Sequence, residues 1–214
     1  MYTPRHFEEN RITVLHSVIS ANPLGTLITM QGGALVADEI PFLLEPGAGS
    51  LGTLRAHVAR ANPLWQRHDP TQPVLVVFKG AQAYISPSWY ISKAEHGKAV
   101  PTWNYVAVQA GGMLQVRDGD DAWLRQQLDA LTHAHEQHLP HPWHVSDAPA
   151  DYVRQMMRAI VGIEIPVTRL LGKCKVSQNQ TPANRQGVFN ALQQNGSAMA
   201  QWVHDAAVPG PTGI

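Results

Sequence analysis

Short apolar runs separated by Gly and Pro fill the chain from Gly25 onward, and this pattern limits the possible folds more than any other feature. The runs are rich in Val, Ile, Leu and Thr, which are typical of β-strands. Several closely spaced short strands are typical of an antiparallel sheet that closes, or nearly closes, into a barrel. The strand-like runs are GTLITM, ALVADEIPFLLE, GTLRAHVA, VLVVF, AYIS, NYVAVQA and MLQVR.

Glycines between these runs predict where the sheet turns. VLVVF and AYIS flank Lys79-Gly80-Ala81, which predicts one hairpin, and NYVAVQA and MLQVR flank Gly111-Gly112, which predicts another. The run from Gly162 to Val176 predicts a long strand that completes the sheet.

Helices are expected around this sheet, which makes the fold mainly β with peripheral helices (α+β). Apolar residues at helical spacing support these helices, and so do residues typical of helix starts and ends. The predicted helices are Glu8 to Ser20, a turn within Pro63 to His68, Asp121 to about His138, one opened by Ser146-Asp147, one capped by Thr181-Pro182 and ending near Asn195-Gly196, and Ser197 to Ala206. The tail VPGPTGI, from Val208 to Ile214, is expected to be flexible.

Composition favours a single domain over residues 1–214, since the chain has 44% hydrophobic residues and no Ser/Gly linker. Lys plus Arg equals Asp plus Glu at 16 each, so the chain lacks the overall positive charge of many DNA-binding proteins. The N-terminus has no apolar signal region and no apolar run approaches ~18 residues, which predicts a soluble, cytoplasmic protein without membrane spans. Cys174 is the one cysteine. Its neighbours Lys173 and Lys175 could lower the pKa of its thiol and make it reactive, whereas a buried thiol would be inert.

Three motifs carry residues suited to ligands: HVARANP (His57 to Pro63), AYISPSWY (Ala83 to Tyr90) and VPTWNYV (Val100 to Val106). Between Pro46 and Ala94 the only acid is Asp69, against five Arg and Lys residues. A positive field beside aromatic side chains suits a phosphate-bearing ligand with a flat ring.

These motifs resemble those of the PaiB family, which is described as FMN-binding negative transcriptional regulators. The resemblance extends almost end to end, with one departure at Gln180, where the family pattern usually has Arg. It implies an FMN-binding split β-barrel, similar to pyridoxamine-phosphate oxidase, that binds FMN at a homodimer interface. Further segments that carry the resemblance are MYTPRHF, NPLGTL, IPFLLE, ADYVRQMMRAIVGIEI and KVSQNQ.

The resemblance also implies which residues contact FMN. His57, Val58 and Arg60 end a strand where helical N–H groups follow, and Arg60 would grip the phosphate while His57 donates a further bond. The alternative is a surface Arg beside a core His.

Asn104 can donate and accept hydrogen bonds, as the pyrimidine edge of a flavin requires, and Trp103 offers an apolar face. Packing of Trp103 in the barrel core is the alternative. The other candidates are Ser86, Ser88 and Lys93, which could hold phosphate or simply form a turn. Lys175, Ser177, Gln178 and Asn179 belong to a second acid-free window, which could close over the ligand, line the dimer groove or be a solvated strand end.

The histidines between His133 and His144 do not match HExxH, and Pro140 and Pro142 interrupt any helix there, so we expect no specific metal site. Three functions stay open on the sequence: an FMN-binding regulator with possible DNA contacts, a flavin-dependent oxidoreductase acting on an unknown small molecule, and a haem-binding split barrel. The sequence leaves open whether the protein is an enzyme, because no catalytic residue stands out.

Overall fold

A computed structural model describes residues 1–206, so the tail from Val208 to Ile214 lies outside the described residues. Helices and strands alternate along this part of the chain, as the sequence predicts for a mainly β fold with peripheral helices. The strands are β1 Glu8–Glu9, β2 Leu24–Gln31, β3 Ala34–Pro41, β4 Leu43–Glu45, β5 Thr53–Ala59, β6 Val74–Ile85, β7 Thr102–Gly112, β8 Gln115–Arg117 and β9 Ile160–Lys175. The helices are α1 Ile12–Ala21, α2 Leu64–Arg67, α3 Lys93–His96, α4 Asp121–Glu136, α5 Ala150–Arg158, α6 Pro182–Gln194 and α7 Met199–Asp205, with 3-10 turns at Arg5–Phe7, Pro87–Trp89 and Val145–Asp147.

The strands of the described residues form one nine-stranded sheet with the order β3-β2-β6-β7-β9-β5-β4, while β1 and β8 also pair with β9. Pairing is antiparallel in the registers that fix β1, β2, β3, β4, β5 and β8. Side chains alternate between the core and the other face of the sheet, as β2 illustrates with buried Gly25, Leu27 and Thr29 between less buried neighbours.

The chain divides into two compact units. Unit 1 comprises Met1–Leu15, Lys79–Val108 and Leu171–Ile214, and unit 2 comprises His16–Phe78 and Gln109–Leu170. Long strands β6, β7 and β9 contribute residues to both units. That residues 1–214 form a single domain stays a prediction.

Each unit has its own apolar core. In unit 2 the rings of Phe42 and Phe78 meet edge to face with centroids 5.9 Å apart, and both are almost fully buried. Burial of one such side chain contributes about 1.5–3 kcal/mol. In unit 1, Val188, Leu192 and Met199 of α6 and α7 are buried to the same degree.

Both predicted hairpins are wrong. β6 runs without a break from Val74 to Ile85, through Gly80, and β8 pairs with β9. The glycines mark close packing instead of turns: a Cβ on Gly80 would lie 3.2 Å from Cβ of Val106, and one on Gly112 would lie 2.2 Å from the carbonyl oxygen of Pro166.

Helix predictions hold better, because they depend on local caps. Asp120 caps α4 by accepting from the backbone N–H of Trp123 at 3.0 Å, and Thr181 caps α6 with Pro182 at the first position. The first helix is shorter than predicted, because Glu8 and Glu9 pair with Lys173 and Gly172 of β9.

No helix among residues 1–206 is both long enough and apolar enough to cross a membrane.

Candidate functional site

The ten residues predicted to contact the cofactor are divided between the two units. Residues 57, 58 and 60 belong to unit 2, and the other seven belong to unit 1. Each group is described within its own unit.

In unit 2, β5 presents His57 and Val58 on opposite faces of the sheet. Val58 is buried in the core, whereas His57 is partly exposed and lies opposite Gly162 of β9. Nδ1 of His57 is buried and has no hydrogen-bond partner among the described residues. Burial lowers the pKa of His57 below 6.5, so its imidazole is neutral near pH 7 and can donate one hydrogen bond and accept another.

Arg60 follows β5 and ties it to the neighbouring chain. Its Nε donates to the carbonyl oxygen of Arg158 at 2.8 Å, and its Nη2 donates to Oδ1 of Asp118 at 2.9 Å and to the carbonyl oxygen of Ile160 at 3.2 Å. Nη1 has no hydrogen bond within residues 1–206. The guanidinium is therefore partly committed to the protein and retains one nitrogen for a ligand.

Two bases of the acid-poor window in unit 2 are neutralised by acids from outside it. Arg60 pairs with Asp118, and Arg55 pairs with Glu45 while its guanidinium lies 4.4 Å from the ring centroid of Trp123. The positive field predicted from local sequence is thus weaker in the folded chain.

In unit 1, Ser86 and Ser88 form a capped turn. Their hydroxyls lie 2.6 Å apart, and Oγ of Ser86 accepts from the backbone N–H of Ser88 at 3.2 Å. Lys93 begins α3 and is exposed. These contacts explain the turn without a ligand, although both hydroxyls and the ammonium stay accessible.

A cavity of about 260 Å³ lies within unit 1 and includes two of the predicted residues, Asn104 and Lys175. Its lining is unusually polar: it contains two lysines, four side-chain amides and four hydroxyls, but no carboxylate. The lining residues are Tyr90, Ser92, Lys98, Ala99, Val100, Thr102, Asn104, Lys175, Ser177, Asn179, Gln180 and Asn184.

Two hydrogen-bonded pairs connect β7 to the end of β9 in this cavity. Nδ2 of Asn104 donates to Oγ of Ser177 at 2.8 Å, and Nζ of Lys175 donates to Oγ1 of Thr102. Asn104 is 1% exposed, and its Oδ1 is buried with no partner among the described residues. An unpaired buried acceptor costs about 1–3 kcal/mol, so a ligand donor at this position would be strongly favoured.

Ser177 has a left-handed backbone with φ 66°, the only positive φ outside glycine within residues 1–206. A β-unbranched polar residue adopts this conformation at a cost of order 1–3 kcal/mol. Ser177 is also 3% exposed and forms the hydrogen bond to Asn104. The strained turn therefore directs the Ser177 hydroxyl towards Asn104.

Helix α6 supplies the opposite wall of the cavity. Oδ1 of Asn184 accepts from the backbone N–H of Ser92 at 3.1 Å, and its Nδ2 donates to the Ser92 hydroxyl at 2.9 Å. Gly187 lets the helix approach closely, because a Cβ there would lie 2.1 Å from the carbonyl oxygen of Trp89.

Trp103 and Gln178 lie outside this cavity. Trp103 is 54% exposed and meets Tyr84 edge to face with ring centroids 6.2 Å apart, so it does not pack in the barrel core. The Gln178 side chain forms hydrogen bonds with the nearby backbone. Its Oε1 accepts from the N–H of Val176 at 2.8 Å, and its Nε2 donates to the carbonyl oxygen of Cys174.

Sequence reasoning missed Ser92 and Asn184 as cavity residues, because these two meet only through the packing of α6. Tyr90 ends the motif AYISPSWY, whose aromatic side chains the sequence already suggests for a flat ring, and it lines the cavity. Burial raises the pKa of the Cys174 thiol to about 11, so this thiol stays protonated near neutral pH and is not the activated nucleophile that its lysine neighbours could suggest.

Within residues 1–206, no group of three or more His, Cys, Asp and Glu side chains is arranged to hold a metal ion. The histidines of His133 to His144 lie at the end of α4 and in the loop after it.

Solved structures define the class of fold. The FAD and heme binding protein from Mycobacterium smegmatis superposes with a TM-score of 0.57 at 18% identity, covering 78% of this chain and 73% of that chain. The flavocytochrome Anf3 from Azotobacter vinelandii gives a TM-score of 0.54 at 14% identity, covering 81% and 72%. The chain thus has the flavin-binding split β-barrel fold.

Sequence comparison then gives the family. Residues 1–169 match the family model described as "Putative FMN-binding domain". An uncharacterized protein of Emericella nidulans is 35% identical over 92% of each chain, and the protease synthase and sporulation protein PAI 2 of Bacillus subtilis is 28% identical over 96% of this chain and 97% of its own. The chain belongs to this FMN-binding family, which confirms the resemblance to PaiB, and FMN is its cofactor.

The unit 1 cavity fits part of this cofactor. The pyrimidine edge of an isoalloxazine ring presents one N–H between two carbonyls, and the unpaired Oδ1 of Asn104 has the chemistry of an acceptor for that N–H. The amides and lysines that line the cavity have the chemistry of donors for the carbonyls.

Proposed function

We propose that the unit 1 cavity binds the pyrimidine end of FMN, and that the protein is a PaiB-like flavoprotein acting as a negative regulator of transcription. The observation that supports the flavin position best is Asn104, a buried amide among the residues that line the cavity, whose Oδ1 has no partner among the described residues. FMN supplies electron-transfer chemistry when bound. Asn104 orients the ring by accepting from its imide N–H, and Ser177 holds the Asn104 amide in place.

The other predicted residues are proposed as FMN ligands, each within its own unit. In unit 2, Arg60 would bind the phosphate through Nη1, since its hydrogen bonds among the described residues use Nε and Nη2. His57 would use its unpaired Nδ1, with the Val58 backbone beside it. Ser86, Ser88 and Lys93 are further phosphate partners, and Trp103 would cover apolar surface of the ring. Gln178 would act indirectly, by shaping the turn that carries Ser177.

Homodimerisation is proposed from the size of the cavity. At about 260 Å³ it is smaller than the ~300–1,000 Å³ of typical ligand pockets, so it holds one end of FMN and leaves the remainder to other surfaces. A second copy of the chain would supply such a surface. The exposed aromatic pair Tyr84 and Trp103 gives apolar area for an interface of this kind.

Regulation through DNA is proposed from the family resemblance, and the relative PAI 2 of Bacillus subtilis spans nearly the whole chain. Equal numbers of acidic and basic residues give little non-specific attraction to phosphates. DNA contacts would therefore be weak at ~150 mM salt or would need a partner.

A flavin-dependent oxidoreductase is the second candidate, favoured by the two lysines beside the proposed ring position. Charge close to a flavin ring adjusts its redox properties, which a purely structural cofactor would not need. Haem binding, the third function considered on the sequence, has support only in the fold shared with the haem-binding neighbours.

Titration of the apoprotein with FMN and with riboflavin, followed by flavin fluorescence, tests the proposed ring position. Asn104→Ala removes the acceptor and should weaken both ligands by at least tenfold, equivalent to ~1.4 kcal/mol. Gln82→Ala removes an exposed amide of β6 in the same unit and should bind both like wild type. Unchanged binding by Asn104→Ala would contradict the proposed site.

A further inference from the structure

We propose that Lys175 raises the midpoint potential of the bound flavin by holding a positive charge at the pyrimidine end of the ring. This inference depends on the flavin position proposed above. It assigns a function to a charged residue that has no counter-ion among residues 1–206.

Lys175 has no ion pair with any carboxylate of residues 1–206, and the cavity that it lines contains no acid. Its ammonium donates a hydrogen bond to the Thr102 hydroxyl and faces the ring of Phe7, whose centroid lies 6.0 Å from Nζ. Both partners are uncharged. An ammonium held by one hydroxyl retains two further N–H donors, which a negative ligand group can use.

The two hydrogen-bonded pairs lie next to each other on the same strand. Thr102 and Asn104 are two residues apart on β7, so their side chains share a face about 6–7 Å apart. With Asn104 at the imide N–H, Lys175, which is bonded to Thr102 on the same face, would present its ammonium to the pyrimidine end of the ring.

Reduction changes the charge at this end of the flavin. Bound FMN would supply a two-electron couple, and its singly protonated reduced form would carry a negative charge at the pyrimidine end. Lys175 therefore attracts the reduced form more strongly than the oxidised form, and the partly buried, acid-free cavity screens this attraction less than water would.

Spectroelectrochemical titration of the FMN-loaded protein with dithionite and a reference dye measures the effect. Lys175→Met should weaken binding of reduced relative to oxidised FMN by at least tenfold, which for a two-electron couple lowers the midpoint potential by about 30 mV. Lys175→Arg keeps the charge and should stay near wild type. Lys79→Met removes an exposed lysine of β6 outside the cavity lining and should change nothing.

Lys175→Gln provides a polar replacement if Lys175→Met folds poorly, and fluorescence titration with oxidised FMN accompanies each variant. A midpoint potential unchanged in the variants that bind FMN would overturn this inference and leave the flavin position intact. An equal loss of oxidised and reduced FMN would also overturn it, because Lys175 would then act on binding alone. Failure of the flavin position itself would instead appear as unchanged FMN binding in Asn104→Ala.

Discussion

The sequence predicts the chemical role of Asn104 but not the contacts that hold its side chain. Its place in VPTWNYV predicts an amide for a flavin edge, and the fold buries this residue in the wall of a cavity, with its oxygen unpaired among the described residues. The hydrogen bond from Asn104 to Ser177 could not be predicted, because it depends on the left-handed turn after β9 and joins residues 73 positions apart.

Arg60 is the residue for which two interpretations compete most clearly. If it holds the FMN phosphate, Arg60→Ala should weaken FMN binding by at least tenfold, since charge-assisted hydrogen bonds contribute about 1.5–3 kcal/mol. Arg60→Lys keeps the charge but not the planar fork, so its FMN affinity should lie between those of wild type and Arg60→Ala. Fluorescence titration measures both affinities.

Riboflavin is the control, because it lacks the phosphate and should bind all three proteins alike. Equal losses of riboflavin and FMN would assign Arg60 to the structural contacts with Asp118 and the carbonyls of Arg158 and Ile160.

His57 makes the free energy of unfolding depend on pH. Because burial lowers its pKa in the folded state below 6.5, the unfolded chain binds the proton more tightly. Its contribution to stability is fully present above about pH 6.5 and is lost as the pH falls towards the folded-state pKa. Urea unfolding at pH 7.5 and pH 5.5 should therefore show a smaller pH-dependent loss for His57→Gln than for wild type; equal losses would contradict this.

At the scale of elements, the sequence reveals strands and helix caps better than it reveals how strands join. The apolar runs and the caps at Asp120 and Thr181 are local signals, and the fold follows them. Gly80 and Gly112 are residues typical of turns, but in the fold they allow close packing against Val106 and Pro166. Only the folded sheet brings these residues together.

Helix α6 gives a prediction of the same kind. Gly→Ala inside a helix normally stabilises by roughly 0.5–1 kcal/mol, but at Gly187 the new Cβ would meet the Trp89 carbonyl. We expect Gly187→Ala to destabilise by about 1–3 kcal/mol, as overpacking does, and to weaken FMN binding by displacing Asn184 from Ser92.

Chemical denaturation and FMN titration measure the two effects, with Gln193→Ala, at an exposed position of α6, as the matched control. A more stable Gly187→Ala protein with normal FMN affinity would show that α6 is not held against the Pro87–Trp89 turn.

For the whole molecule, the proposed homodimer means that FMN binding requires two chains to associate. An interface that completes a cofactor site permanently is expected to bury at least ~2,000 Å² in total. Light scattering of the FMN-loaded protein should give twice the 23.4 kDa mass of one chain at micromolar concentration. A stable monomer that binds one FMN per chain would contradict the shared site.

The central claim is the position of the flavin, and a crystal structure of the protein grown with FMN tests it most directly. We predict that the imide N–H of the ring lies within hydrogen-bond distance of Oδ1 of Asn104, with Nζ of Lys175 beside the same edge. A structure in which FMN is bound and no flavin atom contacts Asn104 would contradict the account.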